Sequence, residues 1–421
     1  VRQRRSLTHV GGAVDSAGRP RVAEAIAEAL HVEPARVADE PKEGGATHTD
    51  DDDPERAHIH GFHTYPARMH PTTAARLVRA LAPGARATVL DPFCGSGTVL
   101  VEAMIAGRRG VGVDLNPIAV RLAAFKTGRR DPPFLESFVK TAGAAAAFAD
   151  DRRVRRAGAT HRYPPDDVES FDPHVLLELD SLRAGIRELA KDERELREAL
   201  ELVLSSILVK VSSRVSDTST ARTARRIAAG FTAKLFARKA SEVARRLSAL
   251  DALVPADAPA ARVALDDATR LRSVPASSVD AIITSPPYAS THDYLAHHAL
   301  RLRWLDLDSR ELAAREVGAR RRYAHVEPGD ARALWTQELC AVLKPMSRVC
   351  RRGAKIALLL ADSAVHGEAL RADDIVADAA DQVGLVTVAR ASQRRPHFHE
   401  PTAGAFRDAP RAEHVLVLEK P

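Results

Sequence analysis

One stretch, V-L-D-P-F-C-G-S-G-T at 89–98, limits this chain to a small set of folds. Two apolar residues run into Asp91. A Gly-x-Gly turn follows, and Thr98 opens an apolar-periodic run to Ala106. That order predicts a strand, a tight turn and a helix start. Gly95 and Gly97 remove Cβ atoms where a ligand approaches the backbone closely, and the free N–H groups of a helix start face an anion. The grammar then repeats. G-V-G-V-D at 110–114 ends in a second acid, and Asn116-Pro117 starts a helix over 118–126. Strand, glycine turn, helix, strand, acid is the dinucleotide-type half-fold, in which the second acid, here Asp114, accepts from ribose hydroxyls. Nicotinamide, flavin and S-adenosylmethionine sites all fit this pattern.

Further strands are predicted at 262–265, 279–284, 354–360, 385–389 and 414–419, and helices at 71–81, 331–349 and 375–383. Strands alternating with helices predict a parallel sheet covered on both faces, an α/β fold. Ligands then sit outside the carboxyl ends of the strands. Asp91, Asp114, Asp267 and Ser285 each follow a strand, so all four are expected on one crevice. Ser285 heads T-S-P-P-Y at 284–288, where Pro286 and Pro287 end the strand and stiffen the loop. A dinucleotide reading leaves this motif idle, whereas methyl transfer uses it. The glycine turn, with Phe93, Ser96 and Thr98, takes the amino-acid end of the cofactor. Asp114 with Leu115 takes the ribose, and Asp267 with Ala268 the adenine. Beyond Thr284, the Ser285 hydroxyl and the Pro286 carbonyl face an exocyclic amine. Acceptors at the amine protons favour a pyramidal nitrogen and stabilise its developing positive charge. Tyr288 offers a face for an extruded base. The stretch 291–298 is read as a helix start over that base. Carbon methylation of cytosine needs a thiolate beside the base, and none of Cys94, Cys340 and Cys350 is placed for it.

The 421 residues carry a net charge of +6, which permits a nucleic-acid partner without requiring one. The densest basic region lies inside an insertion at 131–256. There Arg214, Arg222, Arg225, Arg226, Lys234 and Arg238 are interleaved with serines and threonines, a phosphate-contact composition. The helical pattern at 176–211 precedes it. Residues 1–57 read as a peripheral, partly disordered segment with a short helix at 21–30 and an acidic linker at 50–53. His58, His60 and His63 invite a metal, but no cysteine or further carboxylate completes a set, so no metal is expected. Three scattered cysteines, no apolar run long enough to span a membrane and no secretory signal predict a reducing, cytoplasmic setting without a membrane partner. The oligomeric state is left open.

These motifs resemble the S-adenosylmethionine-dependent amino methyltransferases of bacterial DNA modification. The matching residues are H-T-Y-P-A-R-M at 63–69, D-P-F-C-G-S-G-T at 91–98, V-D-L-N-P at 113–117 and T-S-P-P-Y at 284–288. The resemblance covers about 58–127 and 262–420. It implies a seven-stranded, Rossmann-like methyltransferase sheet at 58–130 and 257–421. The helical insertion at 131–256 lies where many members have little; it is a candidate target-recognition region that the resemblance itself does not supply. It implies S-adenosyl-L-methionine as cofactor, Tyr65 and Pro66 as part of the segment closing the cofactor site, and DNA as partner, with RNA open. A serine heading the Pro-Pro-Tyr motif is similar to the N4-cytosine members, so N4 of cytosine is expected, with N6 of adenine the alternative. A tRNA guanosine N2-methyltransferase shares the fold and a similar motif. It is disfavoured by the short segment before Tyr65, too short for the usual RNA-binding domain. A nucleic-acid-binding protein without turnover is disfavoured by the intact motif residues.

Overall fold

The computed structural model describes residues 11–32, 54–219, 221–397 and 400–421. The acidic run at 50–53, the basic residues at 2–5 and Thr220 lie outside them. The predicted strands form one sheet: β2 (Thr88–Asp91), β3 (Arg109–Asp114), β4 (Arg262–Leu265), β5 (Val279–Thr284), β6 (Cys350–Ala361), β9 (Val386–Arg394) and β10 (Ala412–Glu419). An eighth strand, β1 (Val14–Gly18), joins them, and β7 (Ser363–Val365) and β8 (Glu368–Leu370) make a separate hairpin. The order is β1-β9-β10-β6-β5-β2-β3-β4.

Two expectations are corrected. The sheet is not wholly parallel: β10 runs antiparallel to both β6 and β9, and β1 antiparallel to β9. β10 lies between β6 and β9, so its reversal makes both of its pairings antiparallel. The N-terminal segment is also not peripheral. β1 extends the sheet, and α1 (Pro20–Leu30) packs Ile26 and Leu30 into the core. The strand V-D-S-A-G is exposed along most of its length, so it carries no apolar alternation to announce it.

Alternation along the strands divides the core. Val89, Ala281, Ile283, Ala357 and Val417 face α1, α2 (Pro71–Leu81) and α3 (Thr98–Ile105). Leu90, Ile282, Ile356, Leu358 and Leu416 face α13 (Ala331–Val349) and α14 (Ala372–Gln382). This is the period-2 pattern of a strand covered on both sides. From β2 the chain moves outward to β3 and β4, then returns to β5 and β6 on the other side. The carboxyl ends therefore diverge between β2 and β5, the switch point where a crevice opens.

After α4 (Pro117–Thr127) the insertion forms α5 (Pro132–Val154), α6 (Pro165–Ser170), α7 (Pro173–Leu189), α8 (Arg194–Leu208) and α9 (Phe231–Asp251). The helical pattern at 176–211 is thus two helices, separated at 190–193. Their core, including Phe138, Leu182, Val203 and Phe236, is continuous with Ile59 and Phe62 and with Trp304 of α10 (Tyr294–Trp304). The insertion therefore shares one core with α3 and α4, through Val101, Met104, Ile118 and Leu122, and with α10. Two short helices, α11 (Arg310–Arg315) and α12 (Arg320–Tyr323), complete the crevice side. No helix among the described residues is long and apolar enough to cross a membrane.

If α1 belongs to the core, Ile26→Ala should lower unfolding free energy by about 2–5 kcal/mol, measured by urea denaturation. A loss within error of zero would return the segment to the periphery.

Candidate active site

The turn after β2 is built by backbone hydrogen bonds. Cys94 N–H donates to the Val113 carbonyl at 3.0 Å, and Gly97 N–H to the Cys94 carbonyl at 2.7 Å. Gly95 and Gly97 hold φ of +48° and +84°. A Cβ on Gly95 would meet the Tyr65 ring at 3.0 Å, and one on Gly97 would meet Ala123 of α4. Gly95 therefore keeps the turn open under Tyr65, while Gly97 lets α3 pack on α4.

The two strand-end acids close on this turn. Asp114 accepts from Gly95 N–H and Asn116 N–H, both at 2.8 Å. Asp91 accepts from the Thr284 hydroxyl at 2.6 Å and from Phe93 N–H at 3.2 Å. Burial pushes the Asp91 carboxyl up to about 7 and the Asp114 carboxyl up to about 6. Ser96 Oγ and Thr98 Oγ1 are buried without a hydrogen-bond partner. Two orphaned hydroxyls at a helix N-terminus are what a bound polar group would satisfy.

The crevice is narrow, with a cavity volume of about 80 Å³. Tyr65, Asp91, Phe93, Gly95, Ser96, Thr98, Asp114, Leu115, Asp267, Ala268, Ser285 and Pro287 line it. Pro66, Gly97, Thr284, Pro286 and Tyr288 do not. Thr284 acts behind Asp91, and Pro286 is buried. Tyr288 packs against the core. Asp267 is partly occupied by its own turn: Oδ1 accepts from Thr269 N–H and Oγ1, and Oδ2 from Arg315 at 3.3 Å.

The ring that does line the crevice is Tyr294, the first residue of α10. It stacks on Tyr65 at 6.2 Å between centroids, and its N–H donates to the buried Glu316 at 2.6 Å. His298, one turn on, lies 4.8 Å from Tyr65 and is 2.8 Å from Asn116 Nδ2. Burial, reinforced by Arg301, pushes it down to about 3, so it stays neutral. The helix start at 291–298 is thus present, and Tyr294 is one of the lining residues that sequence reasoning left unnamed, with Met69, Asn116, Arg315 and Glu316 among the others.

A further turn along α10, Arg301 is fully buried. It grips Asp217 of the insertion through Nε at 2.9 Å and Nη2 at 2.8 Å. Nη2 also reaches Thr64 Oγ1 at 2.9 Å, and Nη1 donates to the Ser205 carbonyl. His63 Nδ1 donates to the Thr64 carbonyl at 2.7 Å, which leaves Nε2 to accept from Arg301 and Ser205. Burial and Arg301 hold its pKa well below the usual value, as that role requires. This knot ties the segment carrying Tyr65 to α8, α10 and the insertion loop.

The histidines at 58–63 therefore part company. His63 belongs to the knot. His58 and His60 gather instead with Glu102 of α3, their ligand atoms within 4.8 Å of one another. Glu102 is a carboxylate that sequence reasoning did not supply. His60 Nε2 lies 2.8 Å from its Oε1.

The six basic residues also divide. Arg225 spends its guanidinium on the carbonyls of Val209, Lys210 and Arg214, and Arg222 bonds the Glu169 carbonyl and pairs with its carboxylate. Arg226, Lys234 and Arg238 are exposed. Arg225 and Arg238 line a second cleft, which shares Tyr65 and Arg68 with the crevice.

Residues 36–125 match the family model described as DNA methylase. The chain is 37% identical over 76 residues to the type II methyltransferase M.MvaI of Kocuria varians, covering 17% of this chain and 16% of that protein. It is 31% identical over 104 residues to the type II methyltransferase M.MjaII of Methanocaldococcus jannaschii, covering 23% and 19%. It is also 42% identical over 52 residues to the tRNA (guanine(10)-N2)-dimethyltransferase of Methanothermobacter thermautotrophicus, covering 12% and 16%. The chain thus spans less than a fifth of the length of these curated relatives. Among solved structures, the rRNA methyltransferase aviRa from Streptomyces viridochromogenes aligns with 88% of this chain and 94% of its own, at 14% identity and a TM-score of 0.33.

Two outcomes test the site. Arg301→Met leaves the Asp217 carboxylate buried and unpaired, and should cost about 3–5 kcal/mol in urea unfolding, whereas Arg301→Met/Asp217→Leu should cost less. Between pH 4 and about 7 the folded protein keeps a proton on Asp91 that the unfolded chain has released, so this group's contribution to stability falls as pH rises. Asp91→Asn should remove that slope. Parallel stability-versus-pH curves for variant and parent would contradict the assignment.

Proposed function

We propose that this chain, whose methylase segment places it in the DNA amino methyltransferase family, transfers a methyl group from S-adenosyl-L-methionine to the exocyclic N4 amine of a cytosine in DNA. The observation that carries the reading is that the Ser285 side chain lines the same crevice as the Gly95 turn and Asp114. Cofactor residues and acceptor residues thus come from opposite sides of the sheet's switch point. S-adenosyl-L-methionine, when bound, supplies an electrophilic methyl group. The Ser96 and Thr98 hydroxyls and the N–H groups opening α3 hold its amino-acid end. Asp114 accepts from the ribose, and Asp267 faces the adenine.

The acceptor amine of a base is a poor nucleophile because its lone pair is delocalised into the ring. Ser285 Oγ accepts a hydrogen bond from an N–H of the amine, favours a pyramidal nitrogen and stabilises the positive charge that develops there, and the proton lost from the methylated nitrogen passes to water; Pro286, buried behind the crevice, stiffens the loop that carries the serine. The stack of Tyr294 on Tyr65 walls the crevice and supplies the flat apolar surface on which an extruded base rests. The choice of cytosine rests on the serine at the head of the motif. The basic residues of the insertion, Arg214, Arg222, Arg225, Arg226, Lys234 and Arg238, serve the nucleic acid, with Arg222 and Arg225 shaping the loop. A second reading, methylation of guanosine N2 in tRNA, is favoured by one observation, the 52-residue match to a tRNA dimethyltransferase.

Ser285→Ala tests the mechanism. It should lower kcat for methyl transfer to duplex DNA by roughly 10²-fold or more, with cofactor affinity by calorimetry unchanged. Loss of cofactor binding with kcat intact would remove Ser285 from the acceptor role.

A further inference from the structure

The second cleft, about 790 Å³ in volume, lies between the segment carrying Tyr65 and the insertion. Its walls carry seven cations, Arg56, Arg68, Lys210, Arg225, Arg238, Lys239 and Arg246, against three acids, Glu55, Asp217 and Glu242. Two of those acids are spent. Asp217 is held by Arg301, and Glu242 takes Lys239 at 3.0 Å and Arg246 at 2.7 Å. Among the described residues, the exposed side chains of Lys210 and Arg238 have no hydrogen-bond or ion-pair partner. Ser216 and Thr218, two small hydroxyl donors, complete the rim.

Arg238 belongs to a longer feature. α9 buries Leu235, Phe236, Val243 and Leu247 against the insertion core. Its outer face presents Lys234, Arg238 and Arg245, all exposed. Steps of four and seven residues put the three on one helical face. The stripe spans about 16 Å at 1.5 Å per residue, the length of roughly five nucleotides of one B-form strand at about 3.4 Å each. An uncompensated cationic stripe that runs into a hydroxyl-rimmed cleft has the chemistry of a phosphodiester track.

We propose that the exposed face of α9, with Lys210 at the cleft, binds the sugar–phosphate backbone of DNA flanking the target base and delivers that strand past Tyr65 to the crevice. The proposal rests on the methyltransferase reading and adds the path of the substrate. It also separates two kinds of arginine. Arg225 and Arg246 are committed to backbone carbonyls and hold the walls, whereas Lys210, Lys234, Arg238 and Arg245 are left for phosphates.

The test is a salt titration of binding to a labelled duplex of arbitrary sequence, for the full chain and for Lys234→Ala/Arg238→Ala/Arg245→Ala. Each phosphate contact contributes about 0.9 to the slope of log K against log salt. The triple variant should therefore lose about 2–3 from the slope and bind more weakly on any sequence, with cofactor affinity unchanged as evidence of folding. A matched variant, Arg21→Ala/Lys344→Ala/Arg352→Ala, removes three exposed cations elsewhere and should keep the parental slope. An unchanged slope in the α9 variant, or an equal loss in the matched one, overturns the track and leaves the functional reading standing. A slope loss seen with tRNA but not with DNA overturns the assignment to DNA. If the parent chain binds neither duplex nor tRNA, the functional reading fails as well.

Discussion

The hydrogen bond from the Thr284 hydroxyl to Asp91, 2.6 Å long across 193 residues of sequence, joins the two halves of the site. Asp91 ends β2 and introduces the glycine turn. Thr284 ends β5 and introduces Ser285. Because the strand order reverses between these parallel neighbours, the chain leaves their carboxyl ends in opposite directions and a crevice opens where the bond ties them at its base. Burial raises the carboxyl of Asp91, so the bond works in a site shielded from water, where oriented dipoles count most. Once the two strand ends are fixed to each other, the glycine turn and Ser285 have a set separation.

The insertion is part of this arrangement rather than an appendage. Arg301 binds Asp217, Thr64 and Ser205 from a wholly buried position, and the same helix carries Tyr294 and His298 against Tyr65. Tyr294, His298 and Arg301 fall at positions i, i+4 and i+7, one face of α10. The insertion loop that carries Asp217 is thereby tied to the segment of Tyr65, the residue over the Gly95 turn. Buried pairs of this kind are weak evidence of stability but strong constraints on geometry.

The legible parts of this molecule were those encoded in contiguous residues. The strands, the glycine turn, Asp114 and the Ser285 motif each announce themselves within about ten positions, because period-2 apolar runs and turn residues are local signals. What stayed hidden depended on distant partners. The Arg301 knot joins residues 84 and 237 positions apart, and the carboxylate that meets His58 and His60 comes from α3. β1 was hidden because an exposed edge strand lacks alternation, and the reversal of β10 because strand direction is not written in a strand's own residues. The exchange of roles between Tyr288 and Tyr294 has the same origin: which of two nearby tyrosines faces a crevice is decided by the loop between them.

The account's central claim is tested most directly by incubating the protein with isotopically labelled S-adenosyl-L-methionine and, separately, duplex DNA and bulk tRNA, then digesting each to nucleosides for mass spectrometry. The structure and sequence together predict labelled N4-methylcytosine in the DNA. Labelled N6-methyladenine would retain the acceptor mechanism and contradict the use of Ser285 to select the base. Label confined to guanosine N2 in tRNA would contradict the assignment of DNA as the substrate.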